Sequence, residues 1–253
     1  MELIFLGTAG SVMTKNWGFP SILINEDLLL DCGEGTTQKL LEINKIENLN
    51  TICITHLHAD HFLGLISLLW HLWIQKRKKK LIIYGPLGIR IAVNNILKLV
   101  NTPPSIKTFE INLVELNPSS PGEKTEGRYS IKYFPVDHGI PALSYRITQN
   151  GCSIFYTGDS KPIQDFERFA YQCQLLISEA TFPSKFNKYA HQQYHMTPSD
   201  AAKVAKNAKC QKLVLTHISS YFLKYLDSFQ AEAERIFKNE VIIAQDFKKL
   251  SIP

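Results

Sequence analysis

Four side chains of types that bind metal ions stand together in one short segment, Thr55-His56-Leu57-His58-Ala59-Asp60-His61. The segment follows an apolar run that predicts a β-strand, and it precedes a helical pattern. Because alternate residues of a strand point to the same side, His56 and His58 are expected to share one ion. Asp60 and His61 follow where the backbone turns into the helix, so they can face a second point nearby. Zinc prefers imidazole nitrogen and carboxylate oxygen as ligands, and the spacing predicts two adjacent cations.

Three later residues complete this set, and each stands at the end of an apolar run. They are His138, Asp159 and His217. The carboxylate of Asp159 is able to bridge two metal ions. Ligand sites of α/β proteins usually lie at the carboxyl ends of the strands, so the common position of these residues predicts that they join the histidine-rich segment.

The elements that must position these side chains alternate along the whole chain. Strands are predicted over Leu3–Leu6, Ser21–Ile24, Leu28–Asp31, Thr51–Thr55, Leu81–Tyr84, Phe109–Glu115, Ser130–Val136, Leu143–Ile147, Ser153–Thr157, Leu175–Ser178, Lys212–Thr216 and Val241–Ile243. Helices are predicted over Thr36–Ile43, Phe62–Gln75, Leu87–Leu99, Ile163–Ala170, Pro198–Lys209 and Phe229–Asn239. This order predicts an α/β fold whose sheets are covered by helices.

Two local signals refine this picture. Thr197, Pro198 and Asp200 have the types expected at the cap and first turn of a helix. Asn117–Gly122 is polar and rich in breakers, which predicts a loop. We expect no domain boundary there because predicted metal ligands lie on both sides of it, and residues 1–253 are expected to form one domain.

Composition narrows the class of protein further. Hydrophobic residues make up 45% of the chain and the net charge is +5, which suits a globular protein and permits an anionic partner such as nucleic acid. We expect neither a signal peptide nor a membrane span. The five cysteines are scattered and never form a C-x-x-C pair, a pattern typical of free thiols in a reducing compartment. The protein is therefore expected to be cytoplasmic.

Several motifs carry a resemblance that runs nearly from end to end. They are Leu6-Gly7-Thr8-Ala9-Gly10-Ser11, Leu30-Asp31-Cys32-Gly33-Glu34-Gly35-Thr36, Asp137-His138-Gly139-Ile140-Pro141-Ala142-Leu143, Ser178-Glu179-Ala180-Thr181-Phe182, His195-Met196-Thr197 and Leu215-Thr216-His217-Ile218-Ser219-Ser220-Tyr221. With the histidine-rich segment, these motifs make the sequence similar to the metallo-β-lactamase superfamily. Within it, the chain resembles the ribonuclease Z (tRNA 3′-processing endonuclease) family.

The resemblance implies a fold and a metal centre. The fold would be an αββα sandwich, two mixed sheets flanked by helices, with the metals at one edge between the sheets. One ion would be held by His56, His58 and His138, the other by Asp60, His61 and His217, and Asp159 would bridge them. The expected cofactors are two zinc ions, although such sites also accept manganese or iron.

The resemblance also implies a reaction, the removal of the 3′ trailer from precursor tRNA, in members that are commonly homodimers. A metal pair roughly 3.5–4 Å apart lowers the pKa of a bridging water, whose hydroxide would attack phosphorus. Asp60 would orient that nucleophile, and His195, held by Glu179, would protonate the departing oxygen. His191 is a competing donor that matches the motif less well. Gly33, Glu34, Gly35 and Thr36 either line the substrate cleft or serve only a tight turn.

The sequence departs from the family pattern in three places. Only twenty residues separate His138 from Asp159, and Asn150-Gly151 among them predicts a hairpin, so the long RNA-gripping arm of the family is absent. The arginine expected near Ser219-Ser220-Tyr221 is missing, and Thr14-Lys15-Asn16-Trp17 stands where an Arg-Asn pair is common.

These departures leave the substrate open. The basic run Lys76-Arg77-Lys78-Lys79-Lys80 either replaces the arm as an electrostatic grip or is a solvated helix end. Two other functions remain: a dinuclear hydrolase of small phosphodiesters such as cyclic nucleotides, and a metal-stabilised RNA-binding or scaffold protein without catalytic activity.

Overall fold

The structure, a computed structural model, describes all residues from Met1 to Pro253 and contains two seven-stranded β-sheets. The first sheet has the order β14-β1-β2-β3-β4-β5-β6 and the second β13-β12-β11-β10-β9-β8-β7. Each sheet mixes parallel and antiparallel neighbours. Almost all of the first sheet comes from the first half of the chain, and the second sheet comes from the second half.

The strands of the first sheet are β1 (Glu2–Gly7), β2 (Ser21–Ile24), β3 (Leu28–Leu30), β4 (Thr51–Cys53), β5 (Leu81–Pro86), β6 (Ile111–Leu116) and β14 (Lys249–Ser251). Those of the second are β7 (Gly122–Glu126), β8 (Tyr129–Pro135), β9 (Leu143–Gln149), β10 (Cys152–Tyr156), β11 (Leu175–Glu179), β12 (Lys212–Thr216) and β13 (Glu240–Ile243). The helices are α1 (Thr36–Glu42), α2 (Ala59–Phe62), α3 (Gly64–Ile74), α4 (Ile89–Leu99), α5 (Phe166–Phe169), α6 (Asn187–Gln192), α7 (Pro198–Asn207) and α8 (Leu226–Glu234).

Three apolar layers hold the sheets and helices together. The middle layer joins the facing sides of both sheets, through residues such as Phe5 and Tyr145. A second layer lies under α1, α3 and α4, and a third under α5, α7 and α8. Helix, sheet, sheet and helix therefore stack around a continuous interior, which confirms the single α/β domain with the αββα arrangement.

The start of α7 follows the predicted chemistry. The Thr197 side chain accepts a hydrogen bond from the backbone N–H of Asp200, and the Asp200 carboxylate accepts one from the backbone N–H of Thr197. This reciprocal cap fixes the segment that carries His195, two residues before the helix cap. The cap thereby orients a candidate catalytic side chain.

Several elements differ from the sequence expectation. Strand β7 was not predicted, and Gly122 is its first residue rather than the end of a loop. This strand is polar because it is an edge strand that pairs only with β8, so it need not bury an alternating face. The short strand β14 and helix α6 were also missed. The last helix lies over Leu226–Glu234 instead of extending to residue 239.

The short connection between β9 and β10 is confirmed. Asn150 and Gly151 have φ angles of 50° and 79°, as a two-residue turn with left-handed central residues requires. The two strands pair directly from Cys152 and Gln149 onward. No arm emerges from this position.

The basic run lies at the end of the sheet opposite to the predicted ligands. It precedes β5, whose first residues pair in parallel with the start of β4, whereas His56 follows the end of β4. Arg77 is buried and donates to the backbone carbonyls of Glu47, Leu49 and Lys79. Arg77 therefore anchors the backbone, and the hypothesis that the whole run grips RNA is wrong for this residue.

None of the helices combines the length and the apolar character that crossing a bilayer requires.

Candidate metal centre and its proton donor

Loops that follow four strands converge at one edge between the sheets. His56 follows β4, His138 follows β8, Asp159 follows β10 and His217 follows β12. Strand β8 runs parallel to β10 because both are antiparallel to β9, so all three loops of the second sheet leave at the same end. The backbone is held in the left-handed region at Gly158 and His217, with φ angles of 58° and 56°. Such conformations in a non-glycine residue persist where the surroundings enforce them, often at functional sites.

The seven predicted ligands lie together. Oδ2 of Asp159 is 3.3 Å from Nε2 of His61, 3.2 Å from Nε2 of His217 and 3.8 Å from Nε2 of His138. Oδ2 of Asp60 lies 3.5 Å from Nε2 of His217. Five groups of three side chains have ligand atoms close enough for a single ion, and they include the two predicted sets, His56 with His58 and His138, and Asp60 with His61 and His217. Asp159 lies between these two sets, as the bridging role requires.

The unsatisfied atoms of this cluster fit divalent cations. Nε2 of His56, His61 and His217 and Oδ1 of Asp159 are buried without a hydrogen-bond partner. Leaving a buried polar atom unpaired costs about 1–3 kcal/mol, and four such atoms in one place point to missing positive partners. Nitrogen and oxygen donors of this kind suit zinc, manganese or iron. The site therefore fits divalent metal binding.

The opposite ring nitrogens of His56, His138 and His217 have hydrogen-bond partners, which orient these rings. Nδ1 of His56 lies 2.9 Å from Oγ1 of Thr55, and Nδ1 of His217 lies 2.9 Å from Oγ1 of Thr181. Nδ1 of His138 is 3.2 Å from the carbonyl of Tyr194 and donates to it in the tautomer that leaves Nε2 free. Such outer contacts fix the tautomer and direction of metal-binding imidazoles.

Asp31 holds residues of the cluster in place through hydrogen bonds. Its buried carboxylate accepts hydrogen bonds from the backbone N–H and the hydroxyl of Thr55 and from the hydroxyl of Tyr156. Oδ2 also lies 2.8 Å from Nδ1 of His61. The sequence pattern singles out Asp31 only as part of the Leu30–Thr36 motif, because its role depends on packing between β3, β4 and β10 that the sequence does not display.

The protonation tendencies agree with a cation site. Burial lowers the pKa of His61, but the negative charges of Asp159 and Asp31 outweigh this effect and raise the pKa well above its usual range. Burial raises the pKa of Asp159, yet the neighbouring His217 and His61 hold the pKa well below its usual range. The surroundings of His61 therefore favour positive charge at this point, which a metal ion can provide in place of a proton.

His195 and Glu179 lie beside the cluster. Nδ1 of His195 is 3.0 Å and 3.1 Å from the two carboxylate oxygens of Glu179. Burial lowers the pKa of His195, but the charge of Glu179 and its hydrogen bond outweigh burial and raise the pKa to about 9. Glu179 is itself fixed by hydrogen bonds from the backbone N–H groups of Ser160 and Met196. The His195 ring stacks beside His217 at 5.5 Å between centroids, so this imidazole lies next to the predicted ligands.

His191, the competing donor, does not reach this position. Its Nε2 lies 2.9 Å from Oδ2 of Asp200 and 3.1 Å from Nδ2 of Asn187. These contacts tie it to the cap of α7, while His195 occupies the place beside the metal ligands.

The loop of residues 33–36 has a mixed role. A side chain on Gly33 would meet the carbonyl of Asp60 at 2.3 Å, so this glycine allows the ligand segment to pack closely. Gly35 has a φ of 87° and caps the start of α1, and the Thr36 hydroxyl donates to the Gly33 carbonyl. Glu34 and Gly35 line a polar cavity of about 540 Å³ together with residues such as Lys15 and Asn16. Gly33 and Thr36 build the turn, and substrate contact by this loop stays a prediction.

The comparisons with known proteins agree with this geometry. A family model described as the β-lactamase superfamily domain matches residues 26–218. A ribonuclease Z of Thermococcus sibiricus is 34% identical, with 98% of this chain and 95% of that protein covered. The crystal structure of human tRNase Z, short form, superposes with a TM-score of 0.85 at 29% identity, and each chain is covered completely.

A ribonuclease Z of Methanosarcina acetivorans is 29% identical, with 100% of this chain and 98% of the relative covered. That alignment spans 307 positions, whereas this chain has 253 residues. The relative therefore contains segments that have no counterpart here.

Proposed function

Because the chain belongs to the β-lactamase superfamily and, within it, to the ribonuclease Z family, we propose that it is a dinuclear-metal endoribonuclease that removes the 3′ trailer of precursor tRNA. The observation that carries the proposal is the Glu179–His195 pair beside a complete set of seven metal ligands. A hydrolase needs both parts, one to activate water and one to protonate the departing oxygen. Both lie at the same edge of the sandwich.

The proposed metals are two zinc ions, one held by His56, His58 and His138, the other by Asp60, His61 and His217, with Asp159 shared. Bound there, such ions supply Lewis acidity that activates water and offsets charge on the phosphoryl oxygens. Asp60, whose Oδ2 lies 3.5 Å from Nε2 of His217, would orient the attacking water. His195 has its Nδ1 engaged by Glu179, so its Nε2 is the atom that donates a proton to the departing oxygen.

A second candidate function is hydrolysis of small phosphodiesters. The tight Asn150-Gly151 turn favours it, because nothing extends from β9 and β10 to hold a large RNA. The coverage of ribonuclease Z relatives over their full length favours the first candidate. Both candidates use the same metal centre and proton donor.

The deciding experiment is cleavage of a precursor tRNA that carries a 3′ trailer, with zinc or manganese present. An Asp60→Ala variant serves as the control because it lacks a metal ligand. A single cut after the discriminator nucleotide by the wild type alone supports the tRNA-processing function. No cut, together with full metal content and turnover of a small diester, would assign the protein to the small-molecule phosphodiesterases. No turnover of either substrate would favour a non-catalytic role.

We also propose that the protein is a cytoplasmic homodimer. Leu41 and Leu63 are exposed on neighbouring helical segments, where the hydroxyls of Thr37 and Ser67 are 3.3 Å apart. All five cysteines are buried free thiols, which suits a reducing compartment. Sedimentation of the zinc-loaded protein tests the dimer, and a monomer at micromolar concentration would contradict it.

A further inference from the structure

A cavity of about 320 Å³ opens on the surface beside His195. It is lined only by aromatic side chains, those of Phe182, Phe186, Tyr189 and Phe222, which together form the aromatic pocket. Phe186 is 41% and Tyr189 51% exposed. The ring of Phe182 meets that of Tyr189 edge-on at 5.3 Å between centroids. These rings form the walls of a site that is open at the surface.

The aromatic pocket is continuous with the proposed proton donor. The ring of Phe182 lies 6.0 Å from the ring of His195, and Phe182 directly follows Thr181, which contacts His217. Because His195 gives its Nε2 proton to the departing oxygen, a group bound beside the His195 ring belongs to the departing part of the substrate. The pocket therefore lies on the leaving-group side of the scissile bond.

Cations are interleaved with the aromatic side chains. Nζ of Lys185 lies 5.2 Å from the ring centroid of Phe186, and Nζ of Lys224 lies 5.0 Å from that of Tyr225. Lys188 precedes Tyr189 on α6. None of these three lysines pairs with a carboxylate, whereas lysines elsewhere, such as Lys39 and Lys212, do. The nearby Glu232 is occupied by the backbone N–H of Ser184 and the hydroxyl of Ser228.

We infer that the aromatic pocket binds the nucleobase of the nucleoside whose oxygen departs, while Lys185, Lys188 and Lys224 contact the adjoining phosphates. This inference rests on the proposed function and names the substrate group that the site grips. Aromatic rings stack on any base because every base has a π face, and free lysines neutralise phosphates. In the reaction, the water oxygen bonds to phosphorus and that water releases a proton to solvent. The bond from phosphorus to the nucleoside oxygen breaks, that oxygen takes its proton from His195, and His195 is reprotonated from solvent. The bound base holds the nucleoside in place during this step.

The test compares three precursor tRNAs with the zinc-loaded wild type and Tyr189→Ala. One substrate is intact, one lacks the base on the nucleoside that carries the departing oxygen, and one lacks the base across the cut. The product that retains the phosphate identifies the departing side. We expect loss of the departing-side base to lower the kcat/KM of the wild type by about 5- to 150-fold. The same loss has little effect on Tyr189→Ala, whose activity on the intact substrate is already reduced.

Two control variants distinguish the loss of base stacking from a general loss of folding. Tyr189→Phe keeps the ring and retains wild-type dependence on the base. Tyr171→Ala removes a tyrosine of similar exposure, 47%, outside the pocket, and keeps wild-type kinetics on all three substrates. Equal cleavage of all three RNAs by the wild type would contradict base binding by the aromatic pocket and leave the proposed tRNA-processing function intact.

Other outcomes overturn the inference differently. If Tyr189→Ala changes the sedimentation of the protein and leaves the dependence on the base unaltered, the aromatic pocket is an interface between copies of the chain. If the wild type cuts none of the RNAs, the proposed function itself fails.

Discussion

Oδ2 of Asp31 lies 2.8 Å from Nδ1 of His61, on the side of the ring opposite to the unpaired Nε2. The same carboxylate binds Thr55, which precedes His56 and whose hydroxyl contacts Nδ1 of that histidine. One buried acid thus orients ligands of both groups. The geometry of the proposed metal site therefore depends on a residue outside the predicted ligand set.

Replacing Asp31 with asparagine is expected to weaken metal binding by about 10- to 100-fold. The amide keeps the size of the side chain but removes the charge that holds the His61 ring. Zinc titration of the apoprotein, monitored by metal content after dialysis, measures the effect. Asp165→Asn, at an exposed acid, is the control. A zinc affinity of Asp31→Asn equal to that of the wild type would show that metal binding does not depend on the Asp31 carboxylate beside His61.

Replacing His195 with alanine is expected to lower kcat by about 10²- to 10⁴-fold, the usual contribution of a general acid, without loss of zinc. The metal ligands remain, but no proton reaches the departing oxygen. His191→Ala should retain kcat because that ring binds Asp200 at the cap of α7. If His191→Ala lowered kcat more than His195→Ala, His191 would be the proton donor.

The pH profile of Glu179→Gln should lose activity at lower pH than that of the wild type. The raised pKa of His195, to about 9, arises because Glu179 outweighs the effect of burial. A general acid acts only below its pKa, so wild-type activity falls as the pH rises through this value, and removing the charge moves the fall downward. The kcat of both proteins, followed from mildly acidic to alkaline pH, measures the shift. If both proteins lost activity over the same alkaline pH range, Glu179 would not be the residue that raises the pKa of His195.

Salt dependence should distinguish two sets of lysines. Replacing Lys185, Lys188 and Lys224 with glutamine is expected to reduce the slope of log K against log salt for RNA binding by about 0.7 for each phosphate that the protein no longer neutralises. Replacing Lys78, Lys79 and Lys80 should leave the slope unchanged, because that run lies at the far end of the first sheet. A fall in slope confined to the second variant would show that the basic run, and not the lysines near the aromatic pocket, binds the RNA phosphates.

Removing the metals is expected to lower the thermal stability of the protein as well as its activity. Ions that bind only the folded state stabilise it by mass action, by about 2.7 kcal/mol at a free concentration of about 100 times the Kd. Scanning calorimetry before and after chelation, and after zinc is restored, measures this change. Identical melting curves would show that the buried ligands fold equally well without cations.

The predicted ligands could be recognised in the sequence because they leave local signals. The histidine-rich segment has close spacing, and His138, Asp159 and His217 each end an apolar strand. Strands β7 and β14 gave no such signal, since one is polar at the edge of its sheet and the other has three residues. Asp31 and the aromatic pocket were not recognised because both depend on contacts between segments far apart in the chain. Phe182 and Phe222, for example, meet across about forty residues of sequence.

The loop around Asn117–Pro121 joins a sheet that supplies His56, His58, Asp60 and His61 to a sheet that supplies the other three ligands. Neither half alone contains a complete ligand set for either ion. A chain cleaved in this loop would therefore give two fragments that are inert apart and active on reassociation. We expect the two halves to act as a complementation pair that is active only when both contribute ligands.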